Sequence, residues 1–249
     1  MSKVVLITGC SSGFGFVTAK YLLERGYTVI PTVRKKADLP LLPNSVQLDV
    51  TWEQAKINQV INDVIEKHGH LDVLVNNAGY GHLGRVEDFN GDAIRAQMET
   101  NFIGAFKMIK AVLPQMKEQK EGLIINVSSI LGLFAIPEYG IYAASKHALE
   151  ALSQAFRLES QKDHLKVVVV NPGAFKTRFY ANSKDLSKEK FASEDYGPDP
   201  ILVALLIERI INTKNPRPNY LIGKEAMTIR LLLKFPSLFR EFILKRYFT

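Results

Sequence analysis

Short β-branched apolar runs alternate with longer helical stretches over most of this 249-residue chain. That rhythm limits the fold more than any other feature. Val4-Val5-Leu6-Ile7 predicts a buried strand, Gly15 to Arg25 a helix stopped by Gly26, and Thr28-Val29-Ile30 a second strand. Further strands are expected at Val46-Gln47-Leu48, Val73-Leu74-Val75, Leu123 to Val127, Val167 to Val170 and Tyr220-Leu221-Ile222. Ala55 to Lys67 reads as an amphipathic helix whose apolar stripe is Ile57, Val60, Ile61, Val64 and Ile65. Alternation of this kind implies right-handed βαβ units and a parallel sheet covered on both faces. The expected fold class is therefore α/β: one doubly wound domain over 1–249 with a seven-stranded parallel sheet.

Composition narrows the class further. A hydrophobic content of 47% suits a globule with a sizeable core and excludes a disordered chain. The net charge of +7 is scattered among 25 acidic residues, so it points to a phosphate-bearing cofactor or an anionic surface as readily as to nucleic acid. The single Cys10 excludes an intramolecular disulfide and a multi-cysteine zinc site. No apolar run approaches the ~18 residues of a membrane span, and the first leads straight into a glycine turn. A cytoplasmic protein that binds no nucleic acid is expected.

Two segments break the rhythm. Residues 179–200 are polar and charged, and are expected to form a substrate-loop insertion acting as a lid. In the extension at 224–249, Leu231, Leu232, Phe235, Leu238, Phe239, Phe242, Ile243 and Tyr247 recur at helical spacing among basic residues. A helix covering the substrate cleft or a subunit interface, in a homodimer or homotetramer, is preferred here to weak peripheral contact with an anionic membrane.

The first strand runs into Thr8-Gly9-Cys10-Ser11-Ser12-Gly13-Phe14-Gly15, and a helical pattern begins at once. Gly9 allows the tight turn, while Gly13 and Gly15 let backbone approach a pyrophosphate at the helix N-terminus. Tyr142 and Lys146 stand four residues apart on a predicted helix, so the ammonium can lie below the phenol ring. A nearby cation favours phenolate, which brings a proton donor closer to the working pH.

The order Thr-Gly-x-x-x-Gly-x-Gly, then Tyr-x-x-x-Lys, resembles the short-chain dehydrogenase/reductase family, over about Lys3 to Gly223. The resemblance extends to Ser129, thirteen residues before Tyr142, and to Asn101 in Glu99-Thr100-Asn101-Phe102. It implies a Rossmann-type domain and an oxidoreductase. Tyr142 would then move the proton, Ser129 would hold the carbonyl oxygen, and Lys146 would tune Tyr142 and bind the nicotinamide ribose. Asn101 would hold a water leading to Lys146. Cofactor contacts are expected at Gly9, Ser11, Ser12, Gly13, Phe14 and Gly15, where Phe14 replaces a more usual aliphatic residue and offers mainly its backbone N–H. Further contacts are expected at Asp49 and Val50 (adenine edge), at Asn77, Ala78 and Gly79, at Tyr142 and Lys146, and at Pro172, Gly173, Phe175 and Thr177.

An NAD enzyme would carry an acid after the second strand, where this chain has Val33-Arg34-Lys35-Lys36. A guanidinium there suits a 2′-phosphate, so NADP(H) is the expected cofactor, with Arg34 its reader. The resembled branch reduces fairly apolar aldehydes, ketones, retinoids or steroid-like carbonyls. A 3-oxoacyl-thioester reductase and a non-catalytic cofactor sensor are the alternatives. Tyr139 lacks a lysine four residues on and is the weaker proton donor. His68, His70, His82, His147 and His164 lack metal-ligand spacing, so no metal is expected. Lys117 to Glu121 reads as a solvated loop.

Overall fold

The computed structural model describes residues 2–179, 184–185 and 197–248. In chain order the strands are β1 (Val4–Ile7), β2 (Thr28–Val33), β3 (Val46–Gln47), β4 (Val73–Asn76), β5 (His82–Leu83), β6 (Gly122–Val127), β7 (Leu165–Pro172), β8 (Lys184–Asp185) and β9 (Asn219–Ile222). The helices are α1 (Gly13–Glu24), α2 (Gln54–His68), α3 (Gly91–Met98), α4 (Gly104–Gln119), α5 (Gly140–Glu159), α6 (Ile201–Ile211), α7 (Ala226–Leu232) and α8 (Ser237–Phe248).

Seven strands form one parallel sheet in the order β3-β2-β1-β4-β6-β7-β9. Alternation along each strand splits the core into two layers. Val5 and Ile7 pack with Ala19 and Leu22 of α1 and with Val203, Ile207 and Ile210 of α6. Val4 and Leu6 face the other way, onto Ile57 and Ile61 of α2 and Met108 and Val112 of α4. Helices thus cover both faces, as the continuous apolar strands required. Strand order reverses between β1 and β4, and open α/β sheets bind ligands at the carboxyl ends of such a switch point.

Local differences from the expected elements have local causes. β2 continues through Pro31 to Val33, because β3 pairs only with Thr32 and Val33 and asks no hydrogen bond of the proline. Lys117 belongs to the last turn of α4, not to a loop, and its ammonium pairs with Asp163 at 3.0 Å. A second, two-stranded sheet joins β5 to β8, tying part of the 179–200 segment to the chain after β4. The remainder of the expected lid, 180–183 and 186–196, lies outside the described residues.

The extension forms α7 and α8. In it Ile229 and Leu232 are buried, whereas Met227, Leu231, Phe235, Leu238, Phe239, Phe242 and Ile243 are exposed. Among the described residues no helix is long and apolar enough to cross a membrane.

Candidate active site

The glycine turn joins β1 to α1 at the switch point. Gly9 has φ +73°, and a Cβ there would lie 2.9 Å from the Ala78 Cα. A Cβ at Gly15 would overlap both the Asn77 side chain and the Gly9 carbonyl. The two segments are stitched by hydrogen bonds: Asn77 Nδ2 donates to Thr8 O at 2.8 Å, and Thr8 Oγ1 accepts from the N–H groups of Asn77 and Ala78 at 2.9 Å. Gly13 instead faces space, with only the Thr177 Cβ within reach of an added methyl, at 3.8 Å. The turn thus brings Gly13 and Thr177 together at the start of a twelve-residue helix, where anionic phosphate is favoured. Cys10 plays no chemical part there, since burial pushes its thiol up to about 12.

Arg34, Lys35 and Lys36 are exposed directly after β2. Arg34 stands near Tyr80: burial raises the Tyr80 phenol, and the guanidinium opposes the rise. Asp49 folds back on Thr51, accepting from its N–H at 2.9 Å and its hydroxyl at 2.8 Å. Val50 is buried against Gly104. These residues fit a dinucleotide: a glycine turn at a helix N-terminus, a cation after β2, and backbone held open at Gly79.

The four candidate catalytic residues converge on the same edge. Asn101 lies in a π turn, Glu99–Ile103, between α3 and α4, a local widening often found at functional sites. Its Oδ1 accepts from Tyr80 N at 3.1 Å, while its Nδ2 donates to Tyr80 O at 2.9 Å and Ser145 Oγ at 3.1 Å. Ser145 Oγ in turn donates to the Tyr142 carbonyl at 2.7 Å, linking Asn101 to α5. Gly79 closes this group; a Cβ there would lie 3.1 Å from Asn101 Oδ1 and 3.5 Å from Lys146 Nζ.

Lys146 Nζ donates to Val127 O at 2.9 Å and sits 5.8 Å from the centre of the Tyr142 ring. Both side chains are buried. Burial pulls the Lys146 ammonium down from 10.5 to about 8, and Glu150, one helical turn on, partly restores it. Burial likewise raises the Glu150 carboxyl, against hydrogen bonds from Asn171 and Asn219. Ser129 follows β6 and caps a short turn, its Oγ accepting from Leu131 N at 3.1 Å. Asn171 Nδ2 holds the Ser129 carbonyl at 3.1 Å, so β7 fixes this serine from behind.

Around Tyr142 the walls are apolar. Leu83, Leu131, Tyr139 and Ala143 form a buried cluster with it, flanked by Ile130, Phe134, Ile136 and Phe179. The Phe179 ring meets the Tyr142 ring edge-on at 5.3 Å. Pro172, the last residue of β7, is buried, and beyond it Phe175 turns its ring onto Phe14.

Sequence reading missed several supports. Phe14 contributes its ring as well as its backbone. Glu150 was open to discovery, because it continues the Tyr142–Lys146 face of α5 at the same four-residue step. Gln97, fully buried, clamps Tyr80 O and His82 N, and nothing in its sequence neighbourhood marks it.

A family model described as short chain dehydrogenase matches residues 3–187. The chain belongs to the short-chain dehydrogenase family. A 3-ketodihydrosphingosine reductase from Bacteroides thetaiotaomicron is 41% identical to it over 207 residues, 83% of this chain and 76% of that protein. The oxidoreductase YusZ of Bacillus subtilis is 34% identical over 271 aligned positions, covering 95% and 94% of the two chains. A short-chain dehydrogenase structure from Streptomyces avermitilis matches with TM-score 0.82 and 32% identity, covering 92% and 90%. ElxO with NADP bound matches at TM-score 0.79 and 28% identity, covering 92% and 100%, and its Tyr-to-Phe variant was solved with NADPH. This short-chain dehydrogenase is thus a Rossmann-type, nicotinamide-dependent oxidoreductase acting on CH–OH or C=O groups, and the NADP in ElxO accords with the NADP(H) expected from Arg34.

Proposed function

We propose that this short-chain dehydrogenase interconverts a fairly apolar, long-chain ketone or aldehyde and its alcohol with NADP(H), using Tyr142 as the proton-transfer residue. The observation that carries the reading is the buried Tyr142–Lys146 pair, with Tyr142 set in an apolar cluster that Phe179 flanks. Bound nicotinamide supplies the hydride. In reduction, the Tyr142 hydroxyl donates its proton to the carbonyl oxygen, and the Ser129 hydroxyl donates a hydrogen bond to the same oxygen. Developing negative charge is thereby met by fixed donors in a site of low dielectric. Lys146, kept cationic at neutral pH, favours phenolate and so eases the loss of that proton; it also serves the ribose hydroxyls. Asn101 braces Tyr80 and Ser145 around this pair and is assigned the water that leads to Lys146.

NADP(H) rests on Arg34, whose guanidinium suits the 2′-phosphate. The long-chain ketone class draws support from the 3-ketodihydrosphingosine reductase relative. The 179–200 segment is assigned to the substrate, as its pairing with β5 beside the cluster favours. Exposed Phe106 on α4 and Leu158 on α5 favour self-association in a homodimer or homotetramer. The exposed apolar residues of α7 and α8, with Arg230, Lys234 and Arg246 exposed among them, suit an anionic bilayer surface from which such a ketone is drawn. Cosedimentation with anionic but not neutral vesicles tests that assignment.

NADPH oxidation with a panel of long-chain ketones, short aldehydes and a 3-oxoacyl thioester tests the central reading. Turnover should be best with the long-chain ketones. A clear preference for the thioester would replace the reading with the acyl-reductase one.

A further inference from the structure

Glu225 lies just beyond β9, at the carboxyl edge of the sheet. Its Oε2 is buried, and among the described residues it has no hydrogen-bond partner and no ion pair. Two glycines make the space it occupies. A Cβ at Gly173 would overlap this oxygen, and one at Gly223 would lie 3.2 Å from it. Gly173 ends the Asn171-Pro172-Gly173 stretch of the nicotinamide region. The same Cβ position at Gly173 is 3.7 Å from Ile130 Cδ1, and Ile130 directly follows Ser129. Among the described residues a carboxylate oxygen is therefore held without a donor, near the residue next to the serine assigned to the carbonyl.

Burying a polar oxygen without a partner is costly, so the Oε2 of this partly exposed residue calls for a cation or donor. Its neighbour Lys224 is exposed, as is Arg230, and neither is paired with it. A ligand at this edge is left to supply the match. A neutral amide N–H would be satisfied by a backbone carbonyl or a glutamine just as well; a carboxylate gains over these chiefly when the donor is charged. We propose that Glu225 receives an ammonium group carried next to the reacting carbonyl, making long-chain amino ketones the preferred substrates. The arrangement divides the labour: Tyr142 and Ser129 address the oxygen, Glu225 the cation, and the apolar cluster the chain. This inference rests on the long-chain ketone reading above. The substrate named by the Bacteroides relative, 3-ketodihydrosphingosine, is itself a long-chain ketone with an amino group on the adjacent carbon.

The test compares kcat/KM for 3-ketodihydrosphingosine and for the same ketone lacking only its amino group, in the wild type and in Glu225→Gln. A charge-assisted contact predicts a roughly ten- to hundredfold wild-type preference for the amino ketone, collapsing toward unity in the variant. A wild-type ratio near one, or a preference that survives Glu225→Gln, overturns the proposal. A second measurement separates this from failure of the substrate reading. Dodecylamine and dodecanol are titrated into the NADPH-loaded enzyme and followed by cofactor fluorescence. If neither ketone is reduced, the long-chain ketone reading falls alone. Tighter binding of the amine that is lost in Glu225→Gln then still supports the carboxylate's role, and equal binding of amine and alcohol overturns it.

Discussion

The ring of Phe14, inside the glycine turn, meets the ring of Phe175 edge-on, with centroids 5.3 Å apart and planes at 80°. The contact couples the segment assigned to the pyrophosphate to the segment beyond β7 assigned to the nicotinamide. An edge-to-face pair contributes ~0.5–1.5 kcal/mol beyond the burial of its area. A double-mutant cycle of Phe14→Leu and Phe175→Leu, read by denaturant unfolding, should return a coupling in that range. NADPH affinity should drop in each single variant, because both ends of the cofactor cleft lose a shared support. Strict additivity in both measurements would mean that the two segments are positioned independently.

Cofactor choice is assigned to Arg34. A charge-assisted phosphate contact of ~1.5–3 kcal/mol corresponds to roughly ten- to hundredfold discrimination between NADPH and NADH. Arg34→Ala should erode that ratio mainly by weakening NADPH, as titration by intrinsic fluorescence would reveal. Equal affinities for the two cofactors in the wild type would remove Arg34 from this role.

The sheet was legible because its central strands β1, β4, β6 and β7 are buried on both faces and so read as apolar runs. The candidate site was legible where residue types stand at a fixed spacing along one element, as with Tyr142 and Lys146 on α5 or Gly9, Gly13 and Gly15 in one turn. What stayed hidden depends on neighbours distant in sequence. Nothing beside Gln97 shows that it will fold over Tyr80 and His82, and nothing beside Phe14 announces Phe175. β5 and β8 are two residues each, too short for any period to register. The π turn at Asn101 adds one residue to a helical turn, and none of its own five residues is a proline or glycine to mark it.

Gln97 itself gives a stability prediction. Its amide satisfies Tyr80 O at 2.7 Å and His82 N at 2.6 Å, both on the approach to the site. Gln97→Leu keeps most of the volume and leaves those two backbone groups without that partner. A loss of about 1–3 kcal/mol in denaturant unfolding is expected, from the buried His82 N–H deprived of this acceptor, while Tyr80 O keeps its bond from Asn101 Nδ2. A change below about 0.5 kcal/mol would mean that water or local movement replaces the clamp.

The buried lysine predicts a pH dependence. Because burial lowers the folded Lys146 value to about 8, the ammonium is lost as pH rises through that point, and with it the ribose contact and the support of phenolate. NADPH affinity should therefore fall above pH 8 in the wild type and stay flatter in Lys146→Met. Stability moves the other way. Between about 8 and 10.5 the unfolded chain holds a proton that the folded chain has released, so this group's burial penalty shrinks as pH rises. Glu150→Gln removes the charge that supports the ammonium and should shift the inflection in affinity to lower pH. An inflection that stays put would show that Glu150 acts only through Asn171 and Asn219.

The assignment of proton transfer to Tyr142 makes the sharpest prediction. Tyr142→Phe removes one oxygen and leaves a ring able to keep its contacts with Phe179 and Leu131. Turnover should fall by ~10²–10⁴ or more, the usual contribution of an oriented acid, while NADPH binding changes little. Ser129→Ala should also slow turnover with little effect on the cofactor, since its hydroxyl is assigned to the carbonyl oxygen alone. Lys146→Ala should weaken binding and turnover together, because one ammonium serves both the ribose and the phenol. The three variants thus separate by which constant moves. Near wild-type reduction of a good substrate by Tyr142→Phe would pass the role to Tyr139, buried in the same cluster at the start of α5.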